Sequence, residues 1–108
     1  MKFVKIAQTT EVTEGTKKKI AVGNLEILLV NHQNSYYALA NKCPHMGGSL
    51  YDGNLEDGNI VCPRHKSKFD VKTGKNLEGA KILLIRFPVK DAESFPLKVE
   101  GSDILIEI

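Results

Sequence analysis

Both cysteines of this 108-residue chain, and two of its three histidines, fall in two short stretches, CPHMGG at 43–48 and CPRHKSKF at 62–69. Any fold the chain adopts must serve that pattern: Cys43-x-His45, sixteen intervening residues, then Cys62-x-x-His65. Within each stretch the two side chains lie close enough along the chain to reach one point, so together they form two arms of a four-ligand site. Pro44 and Pro63 each fix a backbone dihedral directly after a cysteine, which narrows the loop ensemble before any metal binds. Gly47 and Gly48 let the main chain come close to whatever the arms hold.

The flanks of this segment read as β-structure. Residues 2–7 alternate apolar with polar, and 18–22 and 25–30 face each other across the turn pair Gly23-Asn24. Turn formers at 31–35 lead to a return strand at 36–40, and 9–16 have room for a short helical turn. Residues 81–88 and 97–108 read as further strands, the latter folded at Glu100-Gly101-Ser102-Asp103. Between the flanks, the segment at about 41–77 holds five of the nine glycines and two of the four prolines, with periodic runs only at 59–61 and 69–71. The expectation is one all-β domain over 1–108 with a loop-rich insert. Such an insert buries little apolar surface itself, so a bound metal would supply the free energy that orders it.

A net charge of +2 is too small to mark a nucleic-acid binder. The longest apolar runs, 27–30 and 82–85, fall far short of the roughly 20 residues that span a bilayer. MKFVKIAQTT lacks the apolar stretch of a signal peptide, so the expected compartment is the cytoplasm, without membrane association. A reducing compartment disfavours a Cys43–Cys62 disulfide and turns attention to metal or catalysis. The residues alone leave several chemistries open: a structural zinc site, a cysteine nucleophile beside a histidine, a mixed-ligand iron–sulfur cluster, or unrelated buried side chains. Zinc frameworks favour two or more residues between paired ligands, and a nucleophile would leave one of the two pairs idle.

CPHMGGSL followed by CPRHKSKFDVKTGK resembles the two cluster-binding boxes of Rieske-type proteins, and the likeness extends through LKVEGSDILIEI to most of the chain. The resemblance implies a [2Fe–2S] cluster, one per chain, with Cys43 and Cys62 on one iron and His45 and His65 on the other. It also implies the sheet topology, small stacked antiparallel sheets or an incomplete barrel with the cluster-binding subdomain inserted. Met46-Gly47 and Arg64 stand where the Rieske proteins of cytochrome complexes carry extra, disulfide-forming cysteines. The chain is therefore similar to the soluble ferredoxins that pass electrons from a reductase to a terminal oxygenase. The function implied is a monomeric, non-catalytic one-electron carrier. Two alternatives stand behind it: a small subunit of a nitrite-reductase-like complex, and a binding or redox-sensing module stapled by a structural metal.

Replacing two thiolates by neutral imidazoles removes negative charge from the cluster and eases its reduction. Rieske centres accordingly span about −150 to +300 mV, against about −400 mV for plant-type ferredoxins. Ser67 stands where high-potential members of the family place a serine that hydrogen-bonds a cluster sulfide, whereas Phe69 replaces their tyrosine. With one of two such bonds, the expected potential lies toward the lower part of the range. Lys66 follows His65 where many members have glycine, which implies strain or a reshaped loop if the backbone there has positive φ. Arg64, Lys66 and Lys68 flank His65 and are candidates for docking an acidic partner. Elsewhere, His32 is expected as an exposed hairpin residue and 17–19 as a solvated lysine run. Of Tyr36 and Tyr37, one should pack inward and the other outward.

Overall fold

The computed structural model describes residues 2–44, 48–64, 66–82, 85–87 and 89–108, with 80–82, 86 and 87 as backbone only. Its organising element is strand β3, Leu25–His32, in which Ile27, Leu28, Leu29 and Val30 are all fully buried. Consecutive burial requires cover on both faces of a strand. Leu28 and Val30 enter one apolar cluster, while Leu29 and Ile27 enter two others on the opposite side. Strands β2 (Lys17–Val22) and β4 (Ser35–Ala40) flank β3, and β11 (Ser94–Phe95) lies beyond β4 in the order β11-β4-β3-β2. The turn at 23–24 starts with Gly23 at φ +60, as expected. The next turn is tighter than the run of turn formers suggested. Asn31 and His32 remain in β3, and only Gln33 and Asn34, with φ of 53° and 64°, reverse the chain in the I′ manner.

One face of this sheet is covered by strands β1 (Phe3–Gln8), β13 (Asp103–Glu107) and β12 (Leu97–Glu100), in the order β1-β13-β12. Ile104, Ile106 and Ala7 from this layer meet Leu29, Ile27 and Ala38. The other face carries the insert, which is more regular than its glycine content implied. Strands β5 (Asn54–Glu56), β6 (Asn59–Val61), β7 (Lys68–Asp70) and β8 (Asn76–Glu78) form a sequential antiparallel sheet. Asp57 and Gly58, with φ of 50° and 81°, make its first hairpin. Leu50, Ile60, Phe69 and Val71 from the insert pack on Leu28, Val30 and Leu39. The insert leaves after Ala40 and returns beside the same strand, where the Ala40 N–H donates to the Glu93 carbonyl at 2.8 Å.

Four further expectations are corrected. Tyr36 and Tyr37 both pack inward, against opposite clusters, because their sheet is covered on both sides. Residues 81–88 are not one strand: β9 (Ala80–Ile82) and β10 (Ile85–Phe87) pair antiparallel with each other, and Pro88 lies outside the described residues. The apolar run there contains no turn residue to signal a reversal. His32 is half-buried, and its ring lies so close to Gly58 that a Cβ there would sit 2.8 Å from Nε2. The lysine run opens β2 as expected, but it is not simply solvated. Lys18 pairs with Glu11, and the Lys17 and Lys19 ammonium groups lie 4.4 Å and 5.8 Å from the centre of the Tyr51 ring. Among the described residues no helix is long and apolar enough to cross a membrane.

Candidate metal centre

The two arms close in the same way. In the first, the Cys43 N–H donates to the Gly48 carbonyl at 2.8 Å; in the second, the Cys62 N–H donates to the Ser67 carbonyl at 2.7 Å. Each bond joins a cysteine to the residue five positions on, so each arm is a loop pinned at its ends. The second arm carries an additional turn, with the Lys66 N–H donating to the Cys62 carbonyl at 3.1 Å. That turn sets Lys66 at φ +61, in the left-handed region where the resemblance has glycine. Lys66 itself holds the left-handed conformation, which costs about 1 kcal/mol relative to glycine.

Cys43 and Cys62 are each 1% exposed and belong to one apolar cluster with Leu50, Ile60 and Phe69, at the junction of the insert and the central sheet. They are not bonded to each other. The arms also touch, since a Cβ built on Gly48 would lie 3.2 Å from Cδ of Arg64. Pro44 and Pro63, beside the cysteines, are exposed. Four residues of the expected site, His45, Met46, Gly47 and His65, lie outside the described residues. The structure thus brings both cysteine loops together.

Ser67 is fully buried, and among the described residues its hydroxyl has no hydrogen-bond partner. A buried hydroxyl left without a partner costs about 1–3 kcal/mol. It closes the loop that carries Cys62, so an acceptor held by the arms would lie on its own side of the fold. Two buried thiols in an apolar wall and one donor lacking an acceptor fit a sulfide-bridged iron cluster. Phe69 is fully buried in the same wall, where it supplies apolar surface and no hydroxyl.

The three cations proposed for docking are placed differently. Arg64 and Lys66 are exposed, whereas the Lys68 ammonium lies 3.9 Å from carboxylate oxygens of both Glu56 and Glu78. Lys68 therefore neutralises its own sheet. Asn41 went unrecognised in the sequence. It is buried at the entry to the first arm with its side-chain amide fully engaged. Its partners are distant in sequence, and no local pattern marks it.

Residues 2–82 match the family described as the Rieske [2Fe–2S] domain. The ferredoxin component of the alkene monooxygenase system of Xanthobacter autotrophicus is 35% identical over 107 residues, covering 98% of this chain and 81% of that protein. The ferredoxin component of the naphthalene 1,2-dioxygenase system of Pseudomonas aeruginosa is 31% identical, covering 99% of this chain and 96% of its own. Among solved structures, the ferredoxin of carbazole 1,9a-dioxygenase from Nocardioides aromaticivorans superposes with a TM-score of 0.82 at 27% identity, covering 98% of this chain and 97% of that one.

Proposed function

The chain belongs to the Rieske [2Fe–2S] domain family, and from that premise we propose that it is a ferredoxin carrying single electrons from a reductase to a terminal oxygenase. The observation that carries this reading is the pair of buried thiols in one apolar wall beside a hydroxyl that lacks an acceptor. Cys43 and Cys62 would hold one iron of the cluster, and His45 and His65 the other. When bound, the cluster supplies reversible one-electron exchange at a potential raised by its imidazole ligands. The chain's own contribution is to hold and shield: Leu50, Ile60 and Phe69 keep water from the cysteine sulfurs, and the pinned arms keep the ligands in place. The similar proteins are ferredoxin components, electron-transfer partners and not catalytic subunits. A monomer acting in the cytoplasm is part of the same proposal.

Arg64 and Lys66 provide an exposed cationic rim on the second arm, suited to brief encounters with an acidic partner surface. Anaerobically purified protein is expected to be coloured, to contain iron and labile sulfide, and to bleach reversibly with dithionite. Electron delivery to an oxygenase should slow as ionic strength rises. A colourless preparation with stoichiometric zinc would instead make the site a structural staple.

Ser67 provides a finer test. If its hydroxyl donates to a cluster sulfide, the bond strengthens as the cluster gains negative charge, so removing it lowers the potential. A differential of about 1 kcal/mol corresponds to about 40 mV for a one-electron couple, so Ser67→Ala should shift protein-film voltammetry downward by about that amount. An unshifted wave would exclude the bond.

A further inference from the structure

The first arm begins at Asn41, two residues before Cys43, where the chain has just left β4. Asn41 is 4% exposed, and its amide is bonded in three directions. Nδ2 donates to Oε1 of Glu26 and to Oγ of Ser49, both at 2.9 Å, and Oδ1 accepts the Tyr51 N–H at 2.7 Å. The Asn41 backbone N–H also donates to the Glu26 carbonyl at 2.8 Å. Residues 41, 49 and 51 lie on either side of the loop closed by Cys43 and Gly48, so one side chain ties both ends of that loop together. Through Glu26, the same side chain ties them to the start of β3.

We propose that Asn41 is a positioning residue for the first cysteine, holding the arm's two ends at fixed separation on the central sheet before the cluster binds. It touches no part of the cluster and acts through the loop that carries Cys43. A planar amide suits the task because it donates two hydrogen bonds and accepts a third in one rigid plane, which neither a hydroxyl nor a carboxylate does alone. Without it, the Tyr51 N–H and the Ser49 hydroxyl lose their partner, and no side-chain amide ties the two ends of the arm to each other and to β3; apolar packing and backbone bonds remain. The inference rests on the ferredoxin reading but fails separately from it.

The test measures cluster release from holoprotein under an iron chelator, by loss of visible absorption, together with the visible circular dichroism of the bound cluster. Asn41→Ala should release its cluster at least about tenfold faster than wild type and alter the dichroism. Val12→Ala truncates the core on the far side of the central sheet, so it should lower the melting temperature without either effect. The paired exchange Asn41→Asp with Glu26→Gln keeps the net charge and rebuilds all three bonds, those to residue 26 and Ser49 with reversed polarity and that from the Tyr51 N–H unchanged. The introduced carboxylate then accepts from the introduced glutamine amide, from the Ser49 hydroxyl and from the Tyr51 N–H. This double variant should return to within about twofold of the wild-type release rate. Holo wild type whose Asn41→Ala variant releases no faster than Val12→Ala overturns the role of Asn41. Should Asn41→Ala not fold, the double variant decides, and tenfold faster release from it would equally overturn the proposal. A wild type without iron and sulfide would sink the ferredoxin reading instead.

Discussion

Cys62→Ser is expected to yield a folded, colourless protein whose iron and labile sulfide per chain fall at least about tenfold below wild type. Serine is nearly isosteric with cysteine, so the apolar cluster around position 62 loses little volume. What it loses is a soft thiolate, and an alcohol neither ionises near neutral pH nor favours iron in a sulfide-bridged unit. The same holds at Cys43, because both sulfurs are buried in one wall and the chain has no third cysteine to replace either. Elemental analysis and the visible spectrum measure the loss, and far-ultraviolet circular dichroism shows that the sheets persist. Full cluster occupancy in either Cys43→Ser or Cys62→Ser would show that these residues are not the ligands.

The candidate metal centre stood out in the sequence because ligand chemistry tolerates few residue types at few spacings, and the structure brings together its two cysteine arms. The sequence made most strands outside the insert legible because alternation and turn pairs such as Gly23-Asn24 act locally. That the central sheet is covered on both faces was less transparent. A strand covered on both faces reads as a plain apolar run, and nothing in Tyr36-Tyr37 says that a second core awaits the tyrosine expected to face water. The insert looked like loops because its strands are three residues long, although Asp57-Gly58 was a usable hairpin signal. Residues joined across the fold were illegible. Glu26, Asn41, Ser49 and Tyr51 form one network from separate stretches, and no period connects them. The pairing of Lys68 with Glu56 and Glu78 was hidden for the same reason, since it depends on strands β5, β7 and β8 lying in one sheet.

The glycines show how far placement outruns pattern, and they carry the second large effect. From the motif, Gly48 is, with Gly47, a position where the backbone comes close to the bound group. In the fold, the three described atoms nearest a Cβ at Gly48 all belong to the side chain of Arg64, which is long and exposed and can move aside. Gly53 is different, since a Cβ there would lie 1.8 Å from the Val61 carbonyl oxygen and 2.9 Å from its carbon. Its φ of −86° is open to any residue, so the constraint is space. That carbonyl belongs to the peptide unit whose N–H, on Cys62, closes the second arm on Ser67. Displacing the oxygen therefore tilts the N–H out of the bond that pins the ligand loop. Gly53→Ala should lower stability by about 3 kcal/mol, about 15 °C in melting temperature for a domain of this size, and reduce cluster content with it. Gly48→Ala should lose less than about 1 kcal/mol, because a flexible side chain yields where a backbone carbonyl does not. Thermal unfolding of the two variants beside wild type checks the ranking. A Gly53→Ala protein that melts with or above Gly48→Ala would show that the Val61–Cys62 peptide moves aside freely, and the second arm would then not be held from behind.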